Sequence, residues 1–147
     1  MIAHKSGSLT IFTPETIDNA SGAQFFDAGI SAGFPSPAED FSENRLSLDD
    51  ELVKNKETTF YARVSGQSMI GAGLDDNDLL VIDRSIAPTN NKIAVCFLDG
   101  EFTVKRLKVE SSGVWLQPEN PNYQAIQVTS ENNFIIWGIV TNVVKKL

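Results

Sequence analysis

The chain has 147 residues, 41% of them hydrophobic and 21% charged, with a formal net charge of −7 at neutral pH. That length suits one domain with a modest core. No apolar run approaches the roughly 20 residues of a membrane span, and the acidic balance repels phosphate backbones, so neither membrane insertion nor direct nucleic-acid binding is expected.

In chain order, residues 1–32 are rich in Ser, Thr and Gly and poor in large apolar side chains. They read as a mobile or loosely docked arm, too short and too weakly patterned for a helix-turn-helix. Their opening MIAHKSGSLTIF lacks the apolar core of a secretory signal, which makes the cytoplasm the default expectation. GFPSPAEDF (33–41) reads as a hinge, because Pro35 and Pro37 push the residues before them toward extended backbone. SLDDELVK (47–54) predicts a short helix, capped by Ser47, with Asp49, Asp50 and Glu51 at the positive end of its dipole.

From about residue 58 the pattern changes to strands. FYARVS (60–65), DLLVID (78–83), KIAVCFL (92–98), EFTVKRLKV (101–109), GVWLQP (113–118) and FIIWGIVTNVVKKL (134–147) are rich in Val, Ile, Phe and Thr. Asp99-Gly100 predicts a two-residue hairpin with positive φ, and NPNY (120–123) another turn. DDNDLL (75–80) reads as a solvated acidic turn, since it lacks the glycine and distal glutamate of a calcium loop. Short strands at regular spacing predict a mostly β fold with a strongly bent sheet or small barrel. The last strand has more apolar residues than one face needs. Two readings stay open: a contact with a second copy, or a central strand buried on both faces.

One cysteine excludes an intramolecular disulfide, and Cys96, in IAVCFL, reads as a core thiol. One cysteine and one histidine cannot supply an ordinary zinc site, and no cofactor is expected.

Ser68, in VSGQSMIGAG, follows a predicted strand. Gly66 permits a sharp turn, Met69-Ile70 would anchor the next turn in the core, and the backbone N–H groups of Gln67 and Ser68 would face a developing oxyanion. A serine nucleophile needs a base. The single histidine, His4, lies in the arm, so a Ser-His-Asp arrangement is not expected. A lysine serves instead if burial lowers its pKa toward the working pH. Lys105 shares its strand phase with Thr103, Leu107 and Val109, a largely apolar face. The plainer reading is a surface lysine whose ammonium reaches water, and spacing alone does not choose between the two.

SGQSM (65–69), followed by Lys105 in GEFTVKRL, resembles the LexA/UmuD-type self-cleaving serine–lysine peptidase family, and its UmuD-like branch most of all. GFPSPAED (33–40), DLLVID (78–83), DGEFTVKRL (99–107) and VTNVVK (140–145) carry the same resemblance, which covers about residues 25–147 and leaves 1–24 unmatched. It implies a LexA/signal-peptidase-like bent-sheet β domain in which Ser68 is the nucleophile and Lys105 the general base. The substrate it implies is the Ala32–Gly33 bond of the chain's own arm. Ala28–Gly29 repeats that dipeptide but lacks the prolines that follow. The implied divisions are a cleavable arm (1–32), a hinge and short helix (33–57), and a peptidase and dimerisation domain (58–147). The implied partners are a second copy of the chain, the RecA–single-stranded-DNA filament that stimulates cleavage, and a UmuC-type Y-family polymerase that synthesises past lesions.

The rival readings are three. One is a non-enzymatic polymerase-interaction or regulatory module with a dormant dyad. Another is a signal-peptidase-like enzyme, which needs a membrane anchor. The last is a LexA-like repressor, which needs an N-terminal DNA-binding domain.

Overall fold

β-Branched and aromatic runs separated by turn residues become antiparallel strands in the computed structural model of the chain, which describes residues 3–6, 9–12, 22–26, 29–35 and 44–147. In chain order these are β1 (Ala3–Ser6), β2 (Leu9–Phe12), β3 (Ala23–Gln24), β4 (Arg45–Leu46), α1 (Leu48–Leu52), β5 (Thr59–Val64), a 3-10 turn (Ile70–Ala72), β6 (Leu79–Asp83), β7 (Ile93–Leu98), β8 (Glu101–Glu110), β9 (Gly113–Gln117), β10 (Ile126–Val128) and β11 (Phe134–Val144). The chain forms two compact units, residues 1–14 with 55–147 and residues 15–54.

In the first unit nine strands make one curled antiparallel sheet, in the order β1-β2-β5-β6-β11-β7-β8-β9-β10. Its core follows from the two-residue period of a strand. On β7, Val95 packs with Ala62, Leu80, Ile82 and Val104, whereas its neighbours Ala94 and Cys96 pack with Leu107, Leu116 and Ile139. Adjacent residues of one strand therefore feed two clusters on opposite faces of the sheet. Cys96 is fully buried, as its apolar run predicts. The predicted hairpin joins β7 to β8, with Leu98 opposite Glu101 and positive φ at both Asp99 (48°) and Gly100 (89°).

β11 resolves the question left open by its composition, as far as backbone pairing goes. It is bonded to β6 on one side and β7 on the other, with register shifts between Val140 and Asn142 and between Ile136 and Gly138. It is central, but Ile135 is 55% exposed, so it is not buried on both faces. A Cβ added at Gly138 would stand 2.6 Å from Ile82 Cγ2 and 3.3 Å from Arg84 Cγ. Gly138→Ala is therefore expected to cost about 1–3 kcal/mol of overpacking strain, read as a lowered urea midpoint with an unchanged slope.

Several expectations meet a different structure. Residues 3–6 and 9–12 are not loose chain: β1 pairs antiparallel with β2, and β2 pairs with β5 from Leu9 opposite Val64 to Phe12 opposite Tyr61. Four-residue strands are too short to show a period. His4 accordingly stands in a strand. β10, with three residues, shows no period either. Pro37 of the expected hinge lies outside the described residues.

In the second unit, β3 pairs with β4, and α1 is shorter than its pattern suggested. Ser47 occupies the N-cap position without a side-chain cap bond. The 75–80 turn is only partly solvated. Asp78 is buried, and its carboxylate accepts from the Asp75 N–H and from Lys145 Nζ, ties that hold its pKa below the ordinary carboxylate value against the opposing effect of burial.

Candidate active site

β5 ends at Val64 and the chain turns through Ser65-Gly66 into the loop that carries Ser68. Gly66 sits at φ 105°, backbone that side-chain-bearing residues rarely adopt, so the turn requires glycine there. Its N–H donates to Asp76 Oδ1 at 2.8 Å, which ties the loop across its own mouth. Met69, 3% exposed, plugs into the core beneath the loop, while Ile70 points outward, 43% exposed, against the expectation that both would anchor it.

A second segment grips the loop from the side. The Glu119 N–H donates to the Ser68 carbonyl at 2.8 Å, the Gly71 N–H donates to the Glu119 carbonyl at 2.7 Å, and Asn120 Nδ2 donates to the Gln67 carbonyl at 2.9 Å. Asn120 begins the predicted 120–123 turn. Its side-chain oxygen accepts from the Asn122 N–H at 3.0 Å, and its backbone carbonyl accepts from the Tyr123 N–H at 3.1 Å. The N–H groups of Gln67 and Ser68 donate to no other described residue.

Lys105 comes from the middle of β8, opposite Ala94 of β7. Its face is as the strand phase indicated near Leu107, which is buried, but Val109 lies beyond the covered part of the sheet and is 53% exposed. Lys105 itself is only 8% exposed. Its Nζ lies 3.0 Å from Ser68 Oγ, 2.8 Å from Thr103 Oγ1 and 3.0 Å from the Val104 carbonyl. The fold thus brings together Ser68 and Lys105, the two residues singled out for chemistry. It adds Thr103, two residues back on the same strand face, as the alternation predicts.

Burial pushes the Lys105 pKa below the ordinary lysine value, with the Cys96 thiol a smaller opposing influence. The same burial pushes Cys96 up to about 12, so that thiol stays protonated and inert. A neutral amine has two donors and one lone pair. In the neutral form, hydrogens directed to Thr103 Oγ1 and the Val104 carbonyl would leave the lone pair facing Ser68 Oγ. The cleft beside the pair has a volume of about 210 Å³ and apolar walls from Val64, Met69, Leu74 and Val104. Among the described residues no group of carboxylate, histidine or cysteine side chains is arranged to hold a metal ion, and no helix is long and apolar enough to cross a membrane.

Burying an amine that prefers to be charged costs stability. Below the ordinary lysine pKa of ~10.4 the unfolded chain binds a proton that the folded chain holds less tightly, so the cost is present at neutral pH and disappears as pH rises past that value. Lys105→Met is therefore expected to raise Tm at pH 7, with the gain shrinking steadily toward pH 11. A gain independent of pH would trace to packing instead.

Ala32 and Gly33 belong to the 15–54 unit. They lie in an exposed bend where Ser31 Oγ donates to the Phe34 carbonyl at 2.5 Å and the Gly33 N–H donates to Ser31 Oγ at 3.4 Å.

Comparison with known proteins gives a consistent answer. The family model for Peptidase S24-like proteins matches residues 24–141. The chain is 35% identical to Protein MucA of Salmonella typhimurium over 135 residues, covering 91% of this chain and 92% of that protein. It is 39% identical to Protein ImpA of Escherichia coli over 131 residues, 88% of each. It is also 35% identical to the LexA repressor of Delftia acidovorans over 116 residues, 79% of this chain but 51% of the repressor.

Proposed function

Because this chain belongs to the Peptidase S24-like family, on the UmuD-type side represented by MucA and ImpA, we propose that it is an SOS-response peptidase whose substrate is its own Ala32–Gly33 bond. The family carries a serine-peptidase type of activity, and one observation supports assigning it to particular side chains: Ser68 Oγ lies 3.0 Å from the Nζ of a lysine that is 8% exposed.

The reaction is acyl transfer. Neutral Lys105 takes the Ser68 hydroxyl proton as Oγ attacks the Ala32 carbonyl. Backbone N–H groups at Gln67 and Ser68 stabilise the oxyanion. The C–N bond to Gly33 breaks as Lys105 returns the proton to the departing amine. Water, deprotonated by the same lysine, then releases the acyl group from Ser68. Thr103 Oγ1 and the Val104 carbonyl hold the amine so that its lone pair faces the hydroxyl. Small side chains on both sides of the scissile bond allow close approach, and Ile30 suits an apolar subsite such as the cleft walls supply.

Seating the arm in the cleft is an equilibrium, and a RecA–single-stranded-DNA filament accelerates cleavage by favouring the seated state. This route lets a protein of net charge −7 answer DNA damage without touching DNA. The trimmed product, residues 33–147, works in the cytoplasm as a homodimer and as the accessory subunit of a UmuC-type Y-family polymerase. The deciding measurement is the intact mass of the chain before and after incubation with the filament. Loss of residues 1–32 supports the reading, and an unchanged mass favours a regulatory module without peptidase activity.

A further inference from the structure

The 120–123 turn lies outside the reacting pair, yet its first residue reaches back 53 positions to the nucleophile's loop. We infer that Asn120 is a positioning residue for the oxyanion: its side-chain amide sets the plane of the Gln67–Ser68 peptide and so aims the Ser68 N–H into the cleft. The inference rests on the acyl transfer proposed above and names a part of the site that the reaction needs.

The argument is geometric. In a trans peptide the C=O and the following N–H point in opposite directions. Asn120 Nδ2 holds the Gln67 carbonyl at 2.9 Å, closer than the Ile70 N–H that also donates to it at 3.4 Å, and this keeps the Ser68 N–H on the opposite side, away from Asn120. That N–H donates to no other described residue, and Ser68 lines the cleft. The next peptide is held likewise, by the Glu119 N–H on the Ser68 carbonyl at 2.8 Å, so the residue is gripped on both sides of its Cα.

Asn120 is suited to this work. It is 8% exposed, and its amide is used at both ends, Nδ2 on Gln67 and Oδ1 on the Asn122 N–H. That pairing fixes which way the amide faces. A carboxylate of the same shape would keep the bond to Asn122 but would turn an acceptor toward the Gln67 carbonyl. The clamp also depends on closeness at Gly71, where an added Cβ would stand 2.5 Å from the Glu119 carbonyl oxygen. Gly71→Ala therefore pushes the clamping segment away while leaving Asn120 itself intact.

The experiment uses the full chain and two readouts. One is the self-cleavage rate across pH 7–11, and the other is labelling of Ser68 by a serine-directed phosphonofluoridate. In the labelling step Oγ bonds to phosphorus, fluoride leaves, Lys105 takes the hydroxyl proton, and the phosphoryl oxygen occupies the oxyanion position. Removing a donor of this kind outright costs about 10²–10³-fold. Mispositioning one is expected to cost on the order of 10–100-fold, in both readouts, for Asn120→Ala, Asn120→Asp and Gly71→Ala. In Asn120→Ala the pH midpoint should stay at its wild-type value, because Lys105 is undisturbed.

A folded Asn120→Ala chain with the wild-type plateau rate overturns the inference. So does a shifted midpoint with an unchanged plateau, which would trace the effect to Lys105. If the Asn120 variants do not fold, a wild-type rate in Gly71→Ala overturns it alone. A wild-type chain that neither cleaves nor labels at Ser68 removes the peptidase reading itself, an outcome distinct from these.

Discussion

Ser68→Ala is expected to leave the chain at full mass after exposure to the RecA–single-stranded-DNA filament, under conditions that trim the wild type to residues 33–147. The loss should be on the order of 10⁴-fold or more, because Ser68 supplies the attacking oxygen and the other hydroxyl beside the Lys105 amine is poorly placed to replace it. Thr103 is its other hydroxyl neighbour, at 2.8 Å, but lies two residues back on the lysine's own strand face and lacks the flanking loop N–H groups that surround Ser68. The fold should survive. Ser68 is half-buried and its side chain makes one bond, so stability should change by only about 1 kcal/mol. Intact-mass measurement with a thermal melt reads both quantities. Continued trimming at Ala32–Gly33 in a folded Ser68→Ala chain would remove Ser68 as the nucleophile.

The second large effect concerns Lys105. Lys105→Ala removes the base, and the single histidine of the sequence, His4, belongs to β1 at the edge of the sheet, two strands from β5. General-base catalysis is worth about 10²–10⁴-fold, so a comparable loss is expected. The wild-type rate should rise with pH and level off once Lys105 has lost its proton. Burial brings that point below the ordinary lysine value, since it disfavours the ammonium. The residual activity of Lys105→Ala should lack this rise. A wild-type rate flat from pH 7 to pH 11 would count against a lysine base.

The pairing of these two residues was half-visible in the sequence. Strand alternation put Lys105 on the face of Leu107, and Gly66 announced a turn before Ser68, but a period of two says nothing about what lies opposite. Only the sheet order, with β7 and β8 set beside β11, β6 and β5, carries the lysine to the serine loop. The longer strands are legible because five to eleven residues rich in Val, Ile and Phe stand out from their turns. β1, β2 and β10, with three or four residues each, do not. Ile70, expected to anchor its turn in the core, is 43% exposed, because apolar identity indicates a preference for burial and not a position in the fold. The burial of Asp78 is not legible locally, because its partner, Lys145, is 67 residues away. Asn120 shows the same limit: NPNY identifies a turn, and nothing local reveals that its first side chain holds the Gln67 carbonyl.

The leading strand pair adds a last point. Leu9–Phe12 are knitted to Tyr61–Val64 by backbone bonds, on the strand that runs directly into the serine loop. A break at Ala32–Gly33 would interrupt the polypeptide without interrupting the sheet. The severed piece would still be stitched on by its second strand, and its departure would be a separate, slower peeling step that bares a fresh row of donors and acceptors along β5.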